Sequence, residues 1–184
     1  MKYTKDWLSN NINKGNSVEF VFFWGHTPSK KGDITKTCMS QWFEISFEVG
    51  RVKYSSAEHW MMAEKAKTFK DFEILNEIVL AKNPEIVKEL GRKIKNFNEN
   101  TWNTCKYEIV KKGNFHKFSQ NEDLKKYLLS TENKVLVEAS PYDKVWGIGL
   151  GKESPDSIIP DNWNGENLLG FALMEVRDKL KSSL

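Results

Sequence analysis

Glu58, His59 and Lys65 fall close together in the run Ser55-Ser56-Ala57-Glu58-His59-Trp60-Met61-Met62-Ala63-Glu64-Lys65. On a helix each residue advances by about 100°, so Glu58, Met62, Lys65 and Phe69 share one narrow stripe while His59 points elsewhere. The stripe carries a carboxylate and an amine two turns apart, with apolar neighbours between them. A lysine facing a partly apolar pocket loses its proton more readily and can attack a carbonyl or an imine, and a nearby carboxylate opposes that loss. Both residues also have plainer readings. Glu58 stands three residues after Ser55, the spacing of a capping box, and most lysines are simply solvated. A zinc-protease helix needs a second histidine four residues after the first, and it is absent here.

A second group runs from Glu138 through Asp143, Trp146, Gly147 and Gly149 to Gly151. Glycines let backbone N–H groups approach phosphate oxygens closely, although a run of them builds turns equally well. The GxGxG spacing with no helix directly behind it is not a dinucleotide fingerprint. Phe23, Trp24, Trp102, Trp146 and Trp163 can stack on a planar base or fill a core. No GxSxG elbow or P-loop occurs, and Cys38 and Cys105 have no CxxC spacing, which speaks against a disulfide framework and a zinc site.

These groups need elements to hold them. Val18–Trp24 reads as a strand ending at Gly25, and the segments 41–49 and 52–54 read as a hairpin turning at Gly50-Arg51. Ser55 is the expected N-cap of a helix running to Phe69. Further helices are expected over 72–81, over 84–95 with Gly91 allowing close approach, around Trp102, Cys105 and Ile109, around Leu124 and Leu128, and over 166–180. Residues 134–140 return to strand character, and 141–165 form a long loop and a candidate functional segment. The expected fold is α+β, a predominantly helical single domain over 18–182 with a small β-sheet or hairpin, preceded by a polar lead-in over 1–17.

The chain has 184 residues, 39% hydrophobic and 29% charged, with net charge +3. That supports one packed core and excludes a disordered chain. No stretch approaches the roughly 20 apolar residues needed to cross a bilayer, and the N-terminal segment lacks the apolar centre of a signal peptide, so a cytoplasmic protein without membrane association is expected. The mild basicity suits a phosphate-bearing ligand, whereas basic residues scattered among acids do not form a nucleic-acid stripe.

Taken in order, several pieces resemble the NADAR (YbiA-like) family. They are Phe23-Trp24-Gly25, the run Tyr54 to Ala66 containing Glu58, His59 and Lys65, then Leu90-Gly91-Arg92, Trp102, Lys117-Phe118 and Leu136 to Ser140. Asp143, Trp146 to Gly149, Trp163-Asn164-Gly165, Asn167 to Gly170 and Met174 to Arg177 complete the match. The resemblance implies an N-glycosidase, needing neither metal nor other cofactor, that cuts between C1′ of a phosphorylated ribose and an exocyclic amine of a base-like ring. Its implied substrates are ADP-ribosyl-guanine, free or in modified nucleic acid, and the ribosylamino-pyrimidine phosphates of riboflavin biosynthesis. A functional pairing with an ADP-ribosyltransferase toxin would fit the first. By carry-over Glu58 and Asp143 are acid/base groups and Lys65 is a nucleophile or sugar-phosphate contact. Trp102 and Trp146 are pocket walls, Gly147 and Gly149 admit phosphate or ribose, and Phe23, Trp24, Gly25 and His59 complete the substrate-binding set. The competing reading is a module that binds ADP-ribose without cutting it.

Overall fold

A computed structural model describes residues 1–183. Seven α-helices and four short strands follow in the order α1 (Lys5–Asn13), β1 (Phe20–Phe23), β2 (Phe47–Val49), β3 (Val52–Tyr54), α2 (Ala57–Thr68), α3 (Phe72–Leu80), α4 (Pro84–Arg92), α5 (Glu99–Ser119), α6 (Glu122–Ser130), β4 (Val135–Glu138) and α7 (Leu168–Lys181). The fold is α+β with helices predominating, as the periodicity predicts. The chain forms two compact units, a continuous one over Ser40–Glu122 and a discontinuous one made of Met1–Met39 with Asp123–Leu184.

In the continuous unit β2 and β3 pair antiparallel, Phe47 opposite Tyr54, through the turn at Gly50 and Arg51. Both turn residues have positive φ, the geometry that matches the twist of a two-residue hairpin. Helix α2 follows directly and packs against α3, α4 and α5. Eight of its residues, Ala57 to Ala63 and Ala66, are buried, which is what a helix surrounded by others requires. Trp60 closes the α2–α5 contact, its Nε1 donating to the Ile109 carbonyl at 2.9 Å. The following helices start at side-chain caps, Asp71, Asn83 and Asn98, each accepting from a first-turn amide.

The N-cap of α2 is Ser56 and not Ser55: Ser56 Oγ accepts from His59 N at 3.1 Å. His59 therefore takes the third helical position, and Glu58 falls one residue short of where a capping-box glutamate reaches back. A capping box therefore does not account for Glu58, which remains an acid in the first turn of the helix.

In the discontinuous unit β1 and β4 run parallel, Phe20 opposite Val135 and Phe23 opposite Glu138. Helix α7 packs on β4, and Leu169, Phe171, Leu173 and Val176 of the helix and Val135, Leu136 and Val137 of the strand are all buried. The segment read as a polar lead-in contains a helix. Thr4 caps α1 by accepting from Trp7 N, Leu8 is fully buried, and Lys5 Nζ donates to the Trp163 carbonyl. The loop after β4 contains two 3-10 turns, Pro155–Ile158 and Pro160–Asn162, the second packed on α1.

Candidate active site

Helix α2 presents Lys65 half-buried. Its Nζ donates to the Gly91 carbonyl of α4 at 2.9 Å and lies 4.4 Å from the centre of the Phe97 ring and 5.9 Å from that of Trp102. A carbonyl and two aromatic faces are a weak substitute for water around an ammonium. Burial accordingly lowers the basicity of Lys65, and the charge of Glu58 opposes it in smaller measure. Glu58 is 3% exposed, and its backbone N–H donates to the Gln41 carbonyl at 2.9 Å. The predicted carboxylate–amine pair is thus electrostatically coupled on one helix, and Trp102 stands beside the amine. Close approach at Gly91 is also present, since a Cβ there would come within 2.0 Å of the Met62 sulfur.

His59 is placed differently. It is 2% exposed, its Nδ1 accepts from the Ser55 amide at 3.1 Å, and its ring meets Tyr54 edge to face. It braces the corner between β3 and α2. Burial lowers its pKa, and a backbone hydrogen bond to Ile78 opposes this in smaller measure. Because the folded value lies below the unfolded value near 6.5, the unfolded chain binds the proton more readily as pH falls. The neutral ring's contribution is present above that value and lost below it. Differential scanning calorimetry should show the midpoint falling between about pH 6.5 and pH 5, with a flatter profile in His59→Asn.

Asp143 belongs to the discontinuous unit, where its Oδ1 accepts from the amides of Val145 and Trp146, both at 2.8 Å, and its carbonyl accepts from Gly149 N at 3.0 Å. One carboxylate oxygen is therefore occupied in building the loop, leaving Oδ2 outside this turn. Gly147 and Gly149 are buried. A Cβ on Gly147 would meet the Glu138 carbonyl at 2.8 Å, and Gly149 has φ +66° with its N–H already donated. Of the two explanations for these glycines, tight packing of the loop on itself is the one with visible contacts. Trp146 is half-buried above this loop.

At the carboxyl ends of β1 and β4, where open α/β sheets commonly bind ligands, a cavity of about 380 Å³ is lined by Phe22, Phe23, Trp24 and Pro141, with Lys36 and Lys152 among its polar groups. Phe23 is buried, Trp24 is 54% exposed and tilts against Tyr142 at 6.2 Å, and Gly25 turns the chain away with φ +80°. The apolar wall suits an aromatic ring, and the two lysines share the cavity with the carboxylate of Glu153.

Sequence reasoning missed Phe97 and the Gly91 carbonyl as the surroundings of Lys65. It also missed Lys36 and Lys152 at the cavity and Asn167 as a structural residue. Asn167, at φ +54°, accepts from Glu138 N at 3.0 Å and donates to the Leu136 carbonyl at 2.9 Å, hydrogen-bonding to β4 as a neighbouring strand would. The signals were weak: an aromatic residue beyond α4, isolated lysines, and one asparagine before a helix.

A family model described as NADAR domain matches residues 22–181. The chain is 43% identical over 166 residues to an N-glycosidase of Acanthamoeba polyphaga mimivirus, covering 88% of this chain and 96% of that one. It is 30% identical to an N-glycosidase of Nostoc punctiforme over 80% and 87% of the two chains. The NMR structure of the E. coli protein YbiA superposes with a TM-score of 0.71 at 25% identity, covering 90% of this chain and 86% of that one. No helix among the described residues is long and apolar enough to cross a membrane. With the family model spanning most of its length and N-glycosidases among its near relatives, the chain belongs to the NADAR family and is a hydrolase acting on N-glycosyl compounds.

Proposed function

We propose that this N-glycosidase cuts the bond between C1′ of a phosphorylated ribose and an exocyclic amine, with ADP-ribosyl-guanine as principal substrate and ribosylamino-pyrimidine phosphates as a second class. The observation that carries the reading is the state of Lys65, an amine held against two aromatic rings and a carbonyl, with its basicity lowered. Such an amine suits a substrate whose sugar ring opens to an imine at C1′. Neutral Lys65 adds to C1′, a proton passes to the exocyclic nitrogen, and the base departs as its free amine, leaving C1′ doubly bonded to Nζ. Water then adds to C1′ as Glu58 takes its proton, and collapse of the carbinolamine frees the sugar and regenerates Lys65.

Trp102 supplies a ring face beside the reacting amine. Base stacking on an aromatic side chain contributes roughly 1 to 3 kcal/mol, so Trp102→Ala should raise KM about 5- to 150-fold and affect kcat less, read by steady-state kinetics. Asp143 is assigned to shaping its own loop.

The deciding experiment incubates the protein with DNA carrying ADP-ribose on guanine and, separately, with the ribosylamino-pyrimidine phosphate, following products by mass spectrometry beside Glu58→Gln. Release of ADP-ribose, slowed by the substitution, is expected. Release from the pyrimidine alone reassigns the substrate to metabolite clearance, and tight ADP-ribose binding with no release from either turns the reading to a binding module.

A further inference from the structure

The amino ends of β1 and β4 carry a second cavity, of about 400 Å³, walled by Tyr3 and Trp7 from the N-terminal segment, by Val18 and Glu19, and by Met174 and Arg177 of α7. Arg177 is 2% exposed. Its Nη1 donates to Thr131 Oγ1 at 2.8 Å and to the Lys134 carbonyl at 2.9 Å, whereas its Nε is buried and makes no hydrogen bond. A buried donor left unpaired is costly, and native proteins seldom retain one without a use. The edge of a guanidinium formed by Nε–H and Nη2–H is a fork matching the two oxygens of a carboxylate.

Two of the three acidic residues lining the cavity already have partners, and the third is Glu132. Asp178 accepts from Tyr3 Oη at 2.7 Å and pairs with Lys2, and Glu19 pairs with Lys134 at 2.9 Å. Tyr3 and Trp7 meet edge to face at 4.7 Å and make one wall aromatic. We propose that this cavity is a binding site for a small carboxylate carrying an apolar or aromatic body, the carboxylate seated on the Nε edge of Arg177 and the body against Tyr3 and Trp7. A monoanion fits better than a phosphate, because a single guanidinium edge is unpaired and the carboxylates of Glu19, Glu132 and Asp178 line the cavity. The site lies at the opposite ends of the strands from Trp24 and is independent of the proposed glycosidase chemistry.

The test titrates the full chain with benzoate, benzyl alcohol and inorganic phosphate and follows the backbone amide resonances of Val18 and Glu19, which line the cavity, by two-dimensional NMR. Saturable movement with benzoate below about 10 mM is expected, with none for benzyl alcohol and weaker binding of phosphate. At least a tenfold loss of affinity is expected in Arg177→Met and in Trp7→Leu. Should Arg177→Met fail to fold, Trp7→Leu carries the comparison. Absence of saturable benzoate binding would mean that water alone meets the Nε–H, and equal binding by the variants or tighter binding of phosphate would equally overturn the proposal.

Discussion

Lys65→Met should abolish turnover, lowering kcat by on the order of 10³-fold or more, while the protein keeps its fold, because the unbranched apolar side chain fills the same space over Phe97 and Trp102. Glu58→Gln should behave differently. The proposed carboxylate acts in hydrolysis of the Schiff base, so the substitution should slow turnover by about 10² to 10⁴ yet leave C1′ attached to Lys65. Borohydride quenching during turnover, followed by peptide mass spectrometry, should find the reduced adduct on Lys65 in the native enzyme, more of it in Glu58→Gln, and none in Lys65→Met. The pH dependence has a definite sign. Burial lowers the basicity of Lys65 and Glu58 raises it, so the alkaline rise of single-turnover trapping should fall below the ordinary lysine value of 10.5 and move lower still in Glu58→Gln. Full activity of Lys65→Met would overturn the lysine route in favour of direct protonation of the leaving amine.

Gly170→Ala should destabilise the protein by at least about 3 kcal/mol, lowering its thermal midpoint by about 10 °C. A Cβ there would stand 2.1 Å from the Leu136 carbonyl and 2.6 Å from both polar atoms of the Asn167 side chain. Neither can yield cheaply. The carbonyl belongs to β4, and Asn167 is held by its bonds to Leu136 and Glu138. Gly151→Ala, where an added Cβ meets nothing within 4 Å, is the control and should leave the midpoint unchanged. Equal midpoints for the two variants would show that α7 can lift from the strand without loss.

Most of this architecture was legible because its signals are local. The stripe of Glu58, Met62, Lys65 and Phe69 needs only helical spacing, and Asp71, Asn83 and Asn98 mark helix starts by their own side chains. Helix α1 was overlooked because it is short and polar with a single fully buried residue, Leu8, and is held by partners such as Trp163 and Asp161 far along the chain. The Thr4 cap and the Tyr3–Trp7 pair were its only nearby signs. Lys65 could be singled out by spacing, but its altered basicity could not, because Phe97 and the Gly91 carbonyl come from other segments. The role for Asp143 came from family resemblance, and the phosphate reading of the glycines from their spacing as well. The hydrogen bonds of Asp143 and the close contacts of Gly147 show how much of that loop is engaged in its own construction.

The parallel pairing of β1 with β4 also bears on how the protein is made. Phe20–Phe23 leaves the ribosome long before its partner Val135–Glu138, while all of the Ser40–Glu122 unit lies between them and has its contacts within one continuous stretch. That stretch can fold on the nascent chain, whereas an apolar strand with open hydrogen-bonding groups must wait for the last third of synthesis. Any product truncated before residue 135 therefore exposes a Phe-Val-Phe-Phe edge with nothing to pair it, the kind of segment that nucleates aggregation.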